Sequence, residues 1–212
     1  MRRLALAGLI GVLVMVAGSA VHAGPPTDQL KMGIDRVLAI LQDPTLKQAG
    51  KAAERRKQIR EVANQIFDWT ETAKRALARH WQARSPKERE EFAALFADLL
   101  ERSYVGKIEA YSSEKIVYGQ ETVEDGAQAA VRTKLITKAG TEVPIDYRML
   151  KEGDRWRAYD VLIENVSLVG NYRSQFNRII QQSGYPDLLQ RLKTKQEELQ
   201  FEEAATTKGT KP

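Results

Sequence analysis

Between Arg155 and Ile180 the spacing of apolar residues changes from two to about three and a half, and any fold for this chain must build that switch. The stretch RWRAYDVLIENVSLVGNYRSQFNRII reads as a strand from Trp156 to Ile163, a break at Glu164-Asn165, and an amphipathic helix starting near Ser167. The same period of two runs upstream. Ala129, Val131, Thr133 and Leu135 alternate with polar neighbours, as do Val143, Ile145, Tyr147 and Met149; Trp156, Ala158, Asp160 and Leu162 fill one phase of the next strand. Parity tests the pairing. An odd turn at Lys138-Ala139-Gly140 puts Leu135 and Val143 on one face, and an even turn at Lys151-Glu152-Gly153-Asp154 brings Trp156 to the same face. The spacing therefore predicts one continuous apolar face across three antiparallel strands. A short strand at Lys115–Gly119 and a turn at Glu124-Asp125-Gly126 precede them, and Pro144 belongs near a strand end or an unpaired edge.

Helical spacing dominates before residue 110. Leu30, Ile34, Val37, Leu38 and Leu41 form one stripe that ends at Asp43-Pro44. A second helix is expected over Lys47–Phe67, with Ile59, Val62, Ala63 and Ile66 inward. Its first half is basic (Lys47, Lys51, Arg55, Arg56, Lys57, Arg60), which suits either a solvated face or contact with a partner or membrane surface. Asp68 with Glu71, and Ser85-Pro86 with Glu88, are helix-start signals. The helix after Ser85 carries Phe92, Leu95, Phe96, Leu99, Leu100 and Tyr104 on one wide face. A helix over Ser167–Gln182, a break at Ser183-Gly184-Tyr185-Pro186 and a last helix to about Phe201 complete the order, with a polar, disordered tail over 204–212.

The ends and the composition bound the class. Arg2 and Arg3, the apolar run Leu4–Val16 and the small residues Val21 and Ala23 read as a secretory signal peptide cut after Ala23. Residues 24–203 then make one domain by length. Without Arg2 and Arg3 the chain holds 31 basic and 28 acidic residues, a mild excess that is no nucleic-acid signature. With no Cys and only His22 and His80, the chain lacks the ligands of an ordinary zinc site and any Cys nucleophile. There is no glycine-rich phosphate loop and no G-x-S-x-G. Asp160 is expected on the apolar strand face, where a carboxylate needs a partner. Two readings stand: a general base at a pocket floor, or a structural carboxylate bonded to backbone N–H groups near Ser167 or paired with Arg173.

Trp156, Asp160, Val161, Ile163, Val166, Ser167, Leu168, Val169, Asn171, Tyr172, Arg173 and Phe176 follow the pattern W-x-x-x-D-V-x-I-x-x-V-S-L-V-x-N-Y-R-x-x-F. In this the chain resembles the MlaC, or toluene-tolerance auxiliary, family of periplasmic lipid shuttles. Phe67, Asp68, Trp81, Phe92, Phe96 and Tyr104 extend the likeness, which covers roughly 67–192. Two positions depart from it. Ala78 and Arg79 stand where that family has a Gly shortly before the Trp, and Asn165 replaces a Gly after Glu164.

The resemblance implies an α+β fold: a twisted antiparallel sheet of the NTF2-like kind, about four strands, wrapped by several helices around a lipid-sized apolar cavity. It implies a monomeric periplasmic carrier, not an enzyme, with no cofactor and a phospholipid as cargo. Its partners would be an inner-membrane MCE-domain protein of an ABC transporter and an outer-membrane lipoprotein–porin complex, with no nucleic acid. The alternatives are another apolar cargo such as a hopanoid, an enzyme on the same scaffold, or an adaptor with a filled core. The expected slot is lined by Val131, Leu135, Ile145, Tyr147, Met149, Trp156 and Ala158 from the sheet, and by Phe92, Phe96, Leu99, Val166, Leu168, Tyr172 and Phe176 from the helices; Arg148, Arg157 and Arg173 are candidate head-group contacts.

Overall fold

A computed structural model describes residues 25–48, 50–110 and 114–209, with side chains through 202. The leader read over 1–23 and the tail end 210–212 lie outside the described residues. Four helices come first: α1 (Pro25–Gln42), α2 (Ala52–Ile66), α3 (Trp69–Leu77) and α4 (Pro86–Glu109). The meander β1 (Lys115–Glu124), β2 (Gln128–Ile136), β3 (Glu142–Glu152), β4 (Arg155–Ile163) and β5 (Val166–Ser167) comes next, all antiparallel in the order β1-β2-β3-β4-β5. Helices α5 (Leu168–Ser183) and α6 (Tyr185–Gly209) close the chain. The sheet thus has five strands where about four are predicted, β1 is longer than expected, and α6 continues past Phe201.

Local chemistry explains the boundaries. Ser85 and Glu88 form a full capping box at the start of α4, with Pro86 in its first turn. The Asp68 carboxylate accepts from the Glu71 N–H at 2.9 Å and starts α3. Glu164 and Asn165 both take left-handed φ (49° and 66°), the two-residue turn that a tight hairpin between β4 and β5 demands. Leu135 pairs directly with Val143 across the β2–β3 turn, as parity predicts.

One prediction fails at β4, for a clear reason. A bulge leaves Tyr159 unpaired between Ala158, opposite Met149, and Asp160, opposite Arg148. The extra residue reverses the phase. Val161 and Ile163 now share the face of Tyr147 and Ile145, while Asp160 and Leu162 turn to the opposite face with Arg148 and Asp146. Asp160 is nonetheless buried, at 4% exposure. Its carboxylate accepts from the Ser167 hydroxyl (2.6 Å) and the Val169 N–H (3.1 Å), and Arg148 stands 3.6 Å away. The structural reading of Asp160 is the one realised, with Arg148 and not Arg173 as its cation. Ser167 in turn accepts from the Gly170 N–H at 2.8 Å, so a single carboxylate organises the first turn of α5.

The outer edge of β4 is closed group by group. The Trp156 N–H donates to the Gln29 side chain (2.7 Å) and the Asp68 N–H to the Ala158 carbonyl (2.8 Å). The Thr72 hydroxyl donates to the Tyr159 carbonyl (3.1 Å), and β5 covers Leu162 and Ile163. These bonds also position α1 and α3. The first turn of α1 is held from the other side of the sheet, where Glu121 of β1 accepts from the Thr27 N–H and hydroxyl at 2.8 and 2.6 Å.

Two separate apolar clusters result. One is helical: Phe92, Leu95, Phe96 and Leu99 of α4 pack with Ala73, Ala76 and Leu77 of α3, Val169 and Phe176 of α5, and Leu188 and Leu192 of α6. Phe92 sits edge-on to Phe176, with ring centroids 5.6 Å apart. The other cluster lies on the sheet: Ala129, Val131, Met149, Trp156 and Ala158 under Leu30 of α1, with Ile34, Ile66 and Phe67 at its border.

Ala78, after α3, holds φ 47° and ψ −119°, a region that disfavours any residue with a Cβ. Ala78 and Arg79 are the residues at which the resemblance implies a Gly shortly before Trp81. Ala78→Gly is expected to stabilise the protein by about 1 kcal/mol, raising the thermal midpoint by roughly 2–4 °C in calorimetry; an unchanged or lower midpoint would show that the turn holds no strain. Asp160→Asn is expected to cost about 2 kcal/mol in urea unfolding with an unchanged slope, because a charge-assisted network is lost. A cost below 0.5 kcal/mol, on the order of an ordinary surface substitution, would remove Asp160 from this role.

Candidate functional site: the half-covered apolar face of the sheet

The apolar face of the sheet is unevenly covered. Ala129, Val131, Thr133, Met149, Trp156 and Ala158 are buried. Farther along the same face, Leu135, Val143, Ile145, Tyr147, Val161 and Ile163 are only half-buried. Register places all of them on one side: Leu135 pairs with Val143, Thr133 with Ile145, Val131 and Val161 with Tyr147, and Ile163 with Ile145. The helical cluster has its own incompletely covered rim, with Leu100 and Tyr172 packed against it and Tyr104 beside them. Tyr172 meets the Phe96 ring edge-on at 5.1 Å. Burial, with Tyr172 nearby, pushes the Tyr104 hydroxyl above its ordinary pKa.

Polar contacts join the two cores. On one side α2, whose Ile66 borders the sheet cluster, is tied to α4 through ion pairs. Arg55 and Arg56 both reach Glu109, at 2.7 and 2.8 Å, and Arg60 reaches Glu101 at 2.5 Å. Burial raises the pKa of Glu101, with Arg60 opposing the shift. The basic half of α2 is therefore partly spent on a helix–helix seam. On the other side the Thr72–Tyr159 and Asp160–Ser167 bonds do the joining.

The predicted lining residues thus divide into three groups. Val131, Met149, Trp156 and Ala158 sit in the sheet cluster, and Phe92, Phe96, Leu99 and Phe176 in the helical one. Leu135, Ile145, Tyr147, Leu168 and Tyr172 are half-buried, whereas Val166 is 59% exposed on β5. Val161, Ile163, Leu100 and Tyr104 also face half-buried surroundings but are absent from the predicted lining. The bulge hides the first two from a parity argument; the helical stripe that contains Phe92 and Phe96 already passes through Leu100 and Tyr104.

The three arginines do not gather at one point. Register puts Arg148 and Arg157 on the face opposite Tyr147 and Met149. Arg148 stands by Asp160, and Arg157 donates to the Asn64 carbonyl (3.2 Å) and the Phe67 carbonyl while facing Glu152 at 3.3 Å. Arg173 donates to the Arg75 carbonyl at 2.9 Å. His80 Nε2 is hydrogen-bonded to the Asn177 side-chain oxygen at 3.0 Å, the oxygen accepting. Two open surface grooves, of about 480 Å³ between α1 and α2 and about 420 Å³ beside Trp81 and Arg173, are lined largely by charged and amide side chains.

Among the described residues no group of His, Asp and Glu is arranged to hold a metal, and no helix is long and apolar enough to cross a membrane. What the sheet offers is a half-buried apolar face beside a buried one.

Comparison with known proteins agrees with this architecture. The phospholipid-binding protein from Ralstonia solanacearum, solved in complex with a phospholipid, superposes with a TM-score of 0.71 at 26% identity, covering 82% of this chain and 98% of that one. The toluene tolerance protein ttg2D of Pseudomonas putida is 23% identical over 100 residues. That match spans 47% of this chain and 46% of the relative, so about half the length of each. The family model described as MlaC protein matches residues 31–194, which take in all five strands and the helical cluster. This chain belongs to the MlaC family.

Proposed function

We propose that the protein is a carrier that holds a phospholipid by its acyl chains in the cleft between the sheet and the helical core. The observation that supports this most directly is the half-buried apolar surface on the sheet, continuous with a fully buried cluster on the same face. The fold likeness to a phospholipid-bound protein at 26% identity adds to it. Exposing about thirty methylenes to water costs on the order of 20 kcal/mol at roughly 0.8 kcal/mol each. An apolar cleft in a protein that needs no membrane span removes most of that barrier.

In this reading the carrier works in the periplasm after a signal peptide is cut at Ala23. It moves lipid between an outer-membrane lipoprotein–porin complex and an inner-membrane ABC transporter bearing an MCE-domain protein, and it acts as a monomer without catalysis. Leu135, Ile145, Tyr147, Val161 and Ile163 form the sheet wall, and Leu100, Tyr104, Leu168 and Tyr172 the helical wall. The buried residues of both clusters support those walls from behind. Arg148, Arg157 and Arg173 serve the scaffold before they serve a head group.

Organic extraction of the purified protein and mass spectrometry of the extract are expected to reveal a diacyl phospholipid near one mole per mole. An empty extract, or a polycyclic isoprenoid such as a hopanoid in its place, would overturn the assignment. Ile145→Glu is expected to lower lipid occupancy at least tenfold, about 1.4 kcal/mol, with the unfolding midpoint nearly kept, because a half-buried site tolerates a charge better than a sealed one. Full occupancy in that variant would move the chains away from this wall.

A further inference from the structure

One polar group on the apolar sheet face lacks a bond. Thr133 is satisfied, its hydroxyl donating to the Ile145 carbonyl at 2.6 Å. Tyr147 has no hydrogen-bond partner for its hydroxyl among the described residues. Its position is central: it flanks Val131 and Val161 by register and stands between Met149, which is sealed, and Ile145, which is not. Protein surrounds it closely enough that burial pushes the hydroxyl up to about 12, yet part of the residue remains accessible. Tyr147 also packs against the buried sheet cluster, so its ring lies where the sealed and half-buried parts of the face meet.

The hydroxyl is not sealed from water in the unliganded protein; once acyl chains cover this face, leaving it unpaired would cost roughly 1–3 kcal/mol unless the ligand supplies an acceptor. The group stays neutral and donates one hydrogen bond. Hydrocarbon chains contain no acceptor, and a phosphate anion retains its water and seeks cations. The neutral acceptors nearest the chains of a diacyl lipid are its two ester carbonyls.

We propose that the Tyr147 hydroxyl donates a hydrogen bond to an ester carbonyl of the bound glycerolipid and so selects ester-linked over ether-linked chains. This rests on the carrier reading above and deepens it, because it fixes how far the lipid descends: the glycerol backbone, and not only the chain ends, reaches the middle of β3. It also separates a glycerolipid from a polycyclic hydrocarbon cargo, which offers no such carbonyl.

Delipidated protein is incubated with vesicles of equal parts diester phosphatidylcholine and its diether analogue with matched chains, and the captured lipids are quantified by mass spectrometry. The wild type is expected to favour the diester about tenfold, and Tyr147→Phe to bring the ratio to about one by lowering capture of the diester more than that of the diether. A wild-type ratio near one overturns the inference and leaves the carrier reading intact. A preference that survives in Tyr147→Phe overturns the assignment to this residue. Capture of neither lipid by the wild type overturns the carrier reading itself. Should the variant fold poorly, infrared spectra of wild type loaded with carbonyl-labelled diester lipid decide the matter: a carbonyl band moved to lower frequency on capture is expected, and a band at its dry-hydrocarbon position refutes the bond.

Discussion

The Asp160 carboxylate is the contact on which the arrangement of sheet and helices turns. It sits just after a bulge, on the strand at which sheet and helical core meet. By accepting from Ser167 and from the Val169 N–H, it fixes where the chain stops being a strand and which way the next helix leaves. Val169 and Phe176, on that helix, then enter the helical core. Removing the carboxylate from water is offset by two hydrogen bonds and a nearby guanidinium. The same bulge gives Val161 and Ile163 to the apolar face, so one irregularity both anchors α5 and extends the wall beside Tyr147.

The two cores do not merge, and this has an energetic origin. Between α2 and α4 the facing side chains are Arg55, Arg56 and Arg60 against Glu101 and Glu109. Apolar residues at those positions would draw the helices together to close-packed density. Ion pairs at a partly exposed seam instead give modest attraction and a set spacing.

Much of this was legible in the sequence. The change of period after Ile163, the capping box at Ser85 and the parity of the two hairpins arise from local sterics and alternate faces, and each is found in place. The MlaC resemblance, carried by Trp156 through Phe176, holds over a longer span than its motif. The phase of Asp160 was not legible, since a bulge inserts one residue without any composition mark; Tyr159 looks like an ordinary strand residue. The arginine roles were also hidden. Whether Arg157 meets a ligand or the carbonyls of Asn64 and Phe67 depends on where α2 ends in space, which no spacing along the chain encodes. Which residues of that face are sealed and which half-buried was equally invisible, because Val131 and Ile145 read alike in sequence and differ in what covers them.

The sealed border of β4 has a counterpart at the other margin of the sheet. There β1 has β2 on one side and no further strand in the sheet order. Its ladder breaks between Tyr118 and Glu121, where Gly119 and Gln120 interrupt the register. A foreign strand approaching that margin meets two short, mutually twisted segments in place of one straight row of donors and acceptors. Copies of the protein therefore find little purchase at that margin for continuing one another's sheets.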